Sequence, residues 1–213
     1  MAKHAMPLTR LDLCLFGIVK GKLSALLALQ DEEFDDNGWG LPSGTLRTDL
    51  DNDLDSTAKR VAFEHLNLRV ESVRQEGAVG GRTRDPRHPW TLNVVYRAQI
   101  RAEDLADGGA KKAQDLKWFS VIEAGNLQGA TAPLFATAVR NLRTDVERLT
   151  LPFEMLAPEF TFTELHTMVS IILGRHVEQS RLRQQLNSGE LIVPVGDSKK
   201  LGAGRPAQLY RAA

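Results

Sequence analysis

One cysteine in 213 residues leaves this chain with no internal disulfide. Cys14 sits in an apolar run, where a thiol behaves as a small buried hydrophobe, and nothing here calls for an oxidising compartment. Net charge is missing too. With 27 Lys and Arg against 27 Asp and Glu, bulk charge names no partner and only its distribution is informative. No apolar run approaches the ~20 residues needed to cross a bilayer. Met1 to Arg10 lacks the hydrophobic stretch of a signal peptide, so the cytoplasm is the expected compartment. No catalytic motif is intact.

What is present is ample core material, 42% hydrophobic residues beside 25% charged, in a length that allows one large domain or two ordinary ones. Leu11 to Val19 and Leu23 to Leu29, around Lys20-Gly21-Lys22, predict a β-hairpin. Trp39 to Leu41 reads as a short strand stopped by Pro42. Leu54, Ala58, Val61, Ala62 and Leu66 fall at helical spacing, with Asp55 or Ser56 as the expected N-cap and Asn67 as a left-handed end. Val70 to Val79, Leu92 to Ile100 and Leu116 to Val121 read as strands, Ala102 to Ala113 as a loop. Helical spacing resumes at Leu134, Ala138, Leu142 and Val146. The order β-β-β-α-β-β-β-α implies a mixed α/β domain over residues 1–150.

Beyond Leu151-Pro152 and Ala157-Pro158 the pattern changes, and residues 151–213 read as a second domain. Thr161 and Glu164 stand at capping-box spacing, with Thr163 the competing cap, ahead of the amphipathic run Leu165, Met168, Val169, Ile172 and Leu173. Gly174 ends that helix. A second follows from about Glu178 to Asn187, then a hairpin from Leu191 to Val195 and Gln208 to Arg211. Helix, turn, helix and β-wing is the winged helix-turn-helix order.

Three stretches carry chemistry. In the first, Trp39-Gly40-Leu41-Pro42-Ser43-Gly44 opens toward a helix bearing Arg60 and, one turn on, Glu64. The second is a cationic loop with Arg82, Arg84, Asp85, Arg87, His88 and Trp90, whose guanidinium forks suit phosphate and whose indole suits a base. The third is the C-terminal end, where seven Lys or Arg from Arg175 onward face three acids. There Gln179, Ser180, Arg181, Arg183 and Gln184 occupy the N-terminal half of a would-be recognition helix. Lys199, Lys200 and Arg205 sit in a glycine-rich wing tip suited to DNA. Each stretch also has a plainer reading. Arg60 and Glu64 make an ordinary i,i+4 pair, Trp39 is a core residue, and the basic loop, helix face and hairpin tip are simply solvated.

The first stretch resembles the signature box of the Nudix hydrolases: Gly, five residues, Glu, seven residues, then Arg-Glu-U-x-Glu-Glu-x-Gly-U, with U a bulky aliphatic. Counted from Arg60, the box glutamates fall on Asn52, Val61 and His65. Only Glu64 remains, Asn67 replaces the glycine, and Gly44 lies two residues too far upstream. Hard divalent cations need several oxygen ligands, and one carboxylate does not hold a catalytic cluster. Asp49, Asp51 and Asp53 precede the helix.

Taken whole, the chain resembles the Nudix-related transcriptional regulators of the NrtR type. The resemblance is carried by the degraded box, Arg84-Asp85-Pro86-Arg87, Trp118-Phe119, Phe162-Thr163-Glu164-Leu165, and Gly204-Arg205-Pro206-Ala207-Gln208-Leu209-Tyr210. It implies an N-terminal Nudix-like α-β-α sandwich that binds effector and dimerises, joined to a C-terminal winged helix. It also implies a homodimeric repressor of NAD-metabolism genes on a palindromic operator, released by ADP-ribose or a related nucleotide, with no catalysis, no metal requirement and no cofactor. Expected effector contacts are Arg60, Glu64, Arg82, Arg84, Asp85, Arg87, Trp90 and Trp39. Two other classes stand against it: a magnesium-dependent Nudix pyrophosphohydrolase with an atypical metal site, and a nucleotide sensor serving a protein partner.

Overall fold

The computed structural model describes residues 7–29, 38–67, 69–82, 88, 90–107, 115–126, 132–199 and 207–213. Strands β1 (Leu8–Val19) and β2 (Lys22–Leu29) form the expected hairpin, turned by Lys20 and Gly21 at positive φ. β3 (Trp39–Gly40) and β4 (Ser43–Thr45) lead into helix α1 (Leu54–Leu66). Then come β5 (Arg74–Gly81), β6 (Thr91–Gln99), α2 (Ala102–Asp107), β7 (Leu116–Ser120), α3 (Val121–Ala124) and α4 (Ala132–Glu147). A 3-10 turn at Phe153–Met155 precedes β8 (Phe160–Thr161), α5 (Phe162–Leu173), α6 (Gln179–Ser188), β9 (Ile192–Lys199) and β10 (Ala207–Ala212).

The seven strands β1 to β7 make one mixed sheet in which only β1 and β6 run parallel. Toward its N-terminal end β1 parts from β2, and residues 39–45 wedge into the gap. Trp39 and Gly40 pair with β2 while Ser43 to Thr45 pair with β1. Alternation along β1 sends Leu11, Leu13 and Leu15 to one face, packed on Ala58, Val61, Ala62 and Leu66 of α1. Cys14 and Phe16 go to the other, among Phe135, Ala138, Leu142 and Val146 of α4. That makes the α-β-α sandwich. The second apolar cluster continues without a break through Leu165, Met168 and Ile172 of α5 to Leu182 and Leu186 of α6. A small sheet in the order β8-β10-β9 completes the C-terminal part.

Several expectations need correction. The cap of α1 is Asp53, not Asp55 or Ser56: its carboxylate accepts from Ser56 N at 2.6 Å while Ser56 Oγ accepts from Asp53 N at 2.9 Å. This reciprocal box lets the helix begin at Leu54. Ala102–Asp107 is helical rather than loop, its acids lying in the first turn where the helix dipole favours them. The strand expected from Val70 starts only at Arg74, because Val70 is drawn into the core beside α1. Thr161 caps α5 as its spacing to Glu164 predicts, with Glu164 closing the box and Thr163 inside the first turn. Phe160 and Thr161 also give the wing a third strand. Asn67 ends α1 at φ 53 as expected. Among the described residues, no helix is long and apolar enough to cross a membrane.

Candidate functional site

The degraded box forms a closed ring of charge. Arg60 grips Asp51 at two points, Nε to Oδ1 at 2.7 Å and Nη2 to Oδ2 at 2.8 Å. Its other contacts are Glu64 Oε2 at 2.9 Å and the Thr45 carbonyl at 2.8 Å. Arg47 closes the ring, donating from its side chain to Glu64 at 3.2 Å and from its backbone N to Asp51 at 2.8 Å. The Asp51 side chain is only 2% exposed. Hydrogen bonds from Arg60, above all, hold its carboxyl at about 2, and the same bonds raise the Arg60 pKa. The i,i+4 pair with Glu64 therefore exists, but it is the lesser half of what Arg60 does.

Two of the three lost box carboxylates, at Val61 and His65, are replaced by groups that hold β4 against α1. Val61 is fully buried, so close to Gly44 that a Cβ there would lie 2.6 Å from Val61 Cγ2. A bare glycine is required at that crossing. His65 Nε2 bonds the Ser43 carbonyl at 2.9 Å. With Asp51 and Glu64 both engaged by arginine, the donor set does not fit a divalent metal. Among the described residues no group of three or more His, Cys, Asp or Glu is placed to hold one.

β4 and the start of β6 flank the same stretch of β1, with Leu8 opposite Thr91 and Asp12 opposite Ser43. β4 and β6 thus lie two strand spacings apart, roughly 10 Å, with Trp90 further along, just before Thr91 at the start of β6. Trp90 keeps 39% exposure and lays its ring over Gly80, where a Cβ would come within 2.4 Å of it. By strand alternation it shares the α1 face with Leu92. Trp39 lies on the opposite face, its ring 5.5 Å from that of Phe119. The sheet therefore gathers Arg60, Glu64 and Trp90 on one side and sets Trp39 on the other. Arg82 is exposed at the end of β5 and His88 is half-buried. Arg84, Asp85 and Arg87 lie outside the described residues.

On the Trp39 face is a polar patch that no sequence motif marks. Arg10 donates to Ser43 Oγ at 2.9 Å, Asn93 donates to Asp12 at 2.8 Å, and Arg10 Nε is buried with no partner among the described residues. A signal was available: Arg10 and Asp12 interrupt an otherwise apolar strand in strict alternation with Leu11 and Leu13.

In the C-terminal part Leu182 and Leu186 anchor α6, and Gln179, Ser180, Arg181, Arg183 and Gln184 are all exposed. The Arg183 guanidinium lies 4.1 Å above the Phe162 ring, a cation–π contact that orients it before any partner arrives. Ser180 bonds Glu178, while Arg181 lines a cavity together with Glu147 of α4 and Arg175. Asn187, on the same outward face as Ser180 and Gln184 by helical spacing, was not singled out. Lys199 ends β9. Lys200 and Arg205 lie outside the described residues.

Fold and site together define a Nudix-like sandwich, its box closed by arginine, carrying a winged helix. The family model of the NrtR DNA-binding winged helix domain matches residues 152–212. The ADPR responsive transcriptional repressor NtrR of Acinetobacter baylyi is 30% identical over 213 residues, 99% of this chain and 84% of its own length. In fold, the chain resembles Shewanella oneidensis NrtR complexed with a 27mer DNA: TM-score 0.82, 24% identity, 96% of this chain and 93% of that one. The NUDIX domain of the same NrtR, complexed with ADP ribose, aligns at TM-score 0.51 and 24% identity over 65% of this chain and 90% of its own. The chain belongs to the NrtR family of Nudix-related transcriptional regulators.

Proposed function

We propose that this chain is a transcriptional repressor that binds double-stranded DNA through its winged helix and lets go when ADP-ribose or a related nucleotide occupies its Nudix-like domain. The observation that carries the sensing half is the closed ring at the box. Asp51 and Glu64, the carboxylates nearest the box arginine, are both spent on Arg60. The domain keeps the Nudix frame, and among the described residues no free set of metal ligands is gathered, which supports a nucleotide that is held and not cut, without magnesium. Binding asks only for cations, backbone N–H groups and a stacking surface. Arg82, Arg84, Asp85, Arg87 and Trp90 supply these, with Arg60 and Glu64 shaping the pocket from α1; Trp39, expected among the contacts, packs on Phe119 across the sheet and is not part of it. For DNA the reading uses Gln179, Ser180, Arg181, Arg183, Gln184, Lys199, Lys200 and Arg205.

The working unit is a homodimer on a palindromic operator, as two-fold half-site recognition favours, acting in the cytoplasm on NAD-metabolism genes. Residues 1–150 sense and dimerise; residues 151–213 read DNA. Release requires the nucleotide to favour the DNA-incompetent arrangement, since equal affinity for both states shifts nothing. A gel shift on DNA from upstream of the chain's own coding sequence tests this. A retarded band that disappears with ADP-ribose is expected. No retardation of any fragment overturns the repressor reading, and a band indifferent to nucleotide overturns the sensing.

A further inference from the structure

Helix α4 is bonded to both halves of the molecule. On the sheet side, Asn141 Nδ2 donates to Glu76 Oε2 at 2.5 Å, and Arg97 joins Glu76 at 2.7 Å to Asp145 at 2.5 Å. Glu76 is the extra residue of a β-bulge: the register of β5 on β6 skips from Gln75 to Gly77, whose φ is 152. A bulge re-aims a side chain, and this one turns a carboxylate inward until 1% of it is exposed. On the other side, Arg143 Nε donates to the Ile172 carbonyl at 3.0 Å, in the last turn of α5 just before the Gly174 bend toward α6.

Buried ion pairs give weak net stability, and their best-attested use is to fix one register between packed elements. Here the register fixed is that of α4 on β5, the strand that runs directly to Arg82. We propose that α4 is the coupling rod of the regulator, with Glu76–Asn141 as its sensor-side joint and Arg143–Ile172 as its DNA-side joint. A shift of β5 on nucleotide binding moves α4 as a unit and carries the α5–α6 turn with it. Packed interfaces respond in discrete steps rather than by bending, which suits such a rod. The inference rests on the sensing reading above.

The test measures coupling separately from binding. Operator affinity of the full chain is read by fluorescence anisotropy with and without saturating ADP-ribose, and ADP-ribose affinity by calorimetry, for wild type, Asn141→Ala and Arg143→Met. Both variants are expected to hold each ligand alone within about threefold of wild type, while the weakening of DNA binding by ADP-ribose shrinks by about tenfold, within the range of allosteric couplings. Wild-type weakening in both variants overturns the rod. Loss of operator binding itself in both does so too, because the bonds would then serve only the winged helix. If one variant fails to melt cooperatively, the other decides. If wild type shows no weakening, the sensing reading falls and the rod with it.

Discussion

Arg60 and Asp51, nine residues apart, meet through two hydrogen bonds of 2.7 and 2.8 Å, with the carboxylate 2% exposed. A planar guanidinium facing a carboxylate at two points is the strong, oriented form of ion pair. It ties the loop ahead of α1 to the helix and leaves neither group free.

Removing one partner leaves the other buried and uncompensated. Arg60→Ala is expected to lower unfolding stability by about 2–4 kcal/mol, somewhat under the cost for a fully buried pair because Arg60 is partly exposed. Arg60→Lys recovers little of it, since an ammonium does not reproduce the fork. Urea denaturation reads both.

Acid stability follows from the same pair. The folded pKa of Asp51 lies at about 2, below its ordinary 3.8, so the contribution is full above the ordinary value and fades as pH falls through 4 toward 2. Across that window Asp51 accounts for about 2 kcal/mol. Comparing wild type with Asp51→Asn by pH-dependent melts should show the difference between them closing in acid and constant above about pH 5.

Helix α1 was readable because its signals are local: Leu54 to Leu66 at helical spacing, Asn67 at the end. Thr161 and Glu164 were readable for the same reason. Asp51 was not, because its meeting with Arg60 depends on how the loop ahead of the helix closes. The bulge at Glu76 was hidden likewise, since register is decided between strands. Phe160 and Thr161 form a strand of two residues that owes its existence to Leu209 and Tyr210, far along the chain. The site was half legible. The missing glutamates were visible as residue types; that Val61 and His65 had taken structural work on β4 was not.

Restoring a box glutamate is expected to destabilise the fold without yielding a hydrolase. Val61→Glu puts a carboxylate into a fully buried site against Gly44, and burial of an unpaired charge should cost about 3 kcal/mol or more. A thermal melt should drop well below wild type, with no magnesium-dependent turnover gained. Cleavage of ADP-ribose by this variant would contradict the account of the ring.

Arg183→Ala removes a cation held over Phe162. Operator affinity should fall about tenfold or more, as loss of a base or phosphate contact does, with ADP-ribose affinity unchanged. Arg205→Ala acts in the same sense. Affinity of wild type for DNA should also drop steeply with added salt, because phosphate contacts release counterions. Unaltered DNA binding by Arg183→Ala would misplace the recognition helix.

The central claim is that the chain senses a nucleotide without cutting it. Wild-type protein bound to labelled operator DNA is mixed with ADP-ribose and magnesium, and the anisotropy of the DNA and the identity of the recovered nucleotide are followed in one sample. The account predicts that the DNA is released and the ADP-ribose is recovered intact. Release accompanied by AMP, or intact nucleotide with the DNA still bound, would contradict it.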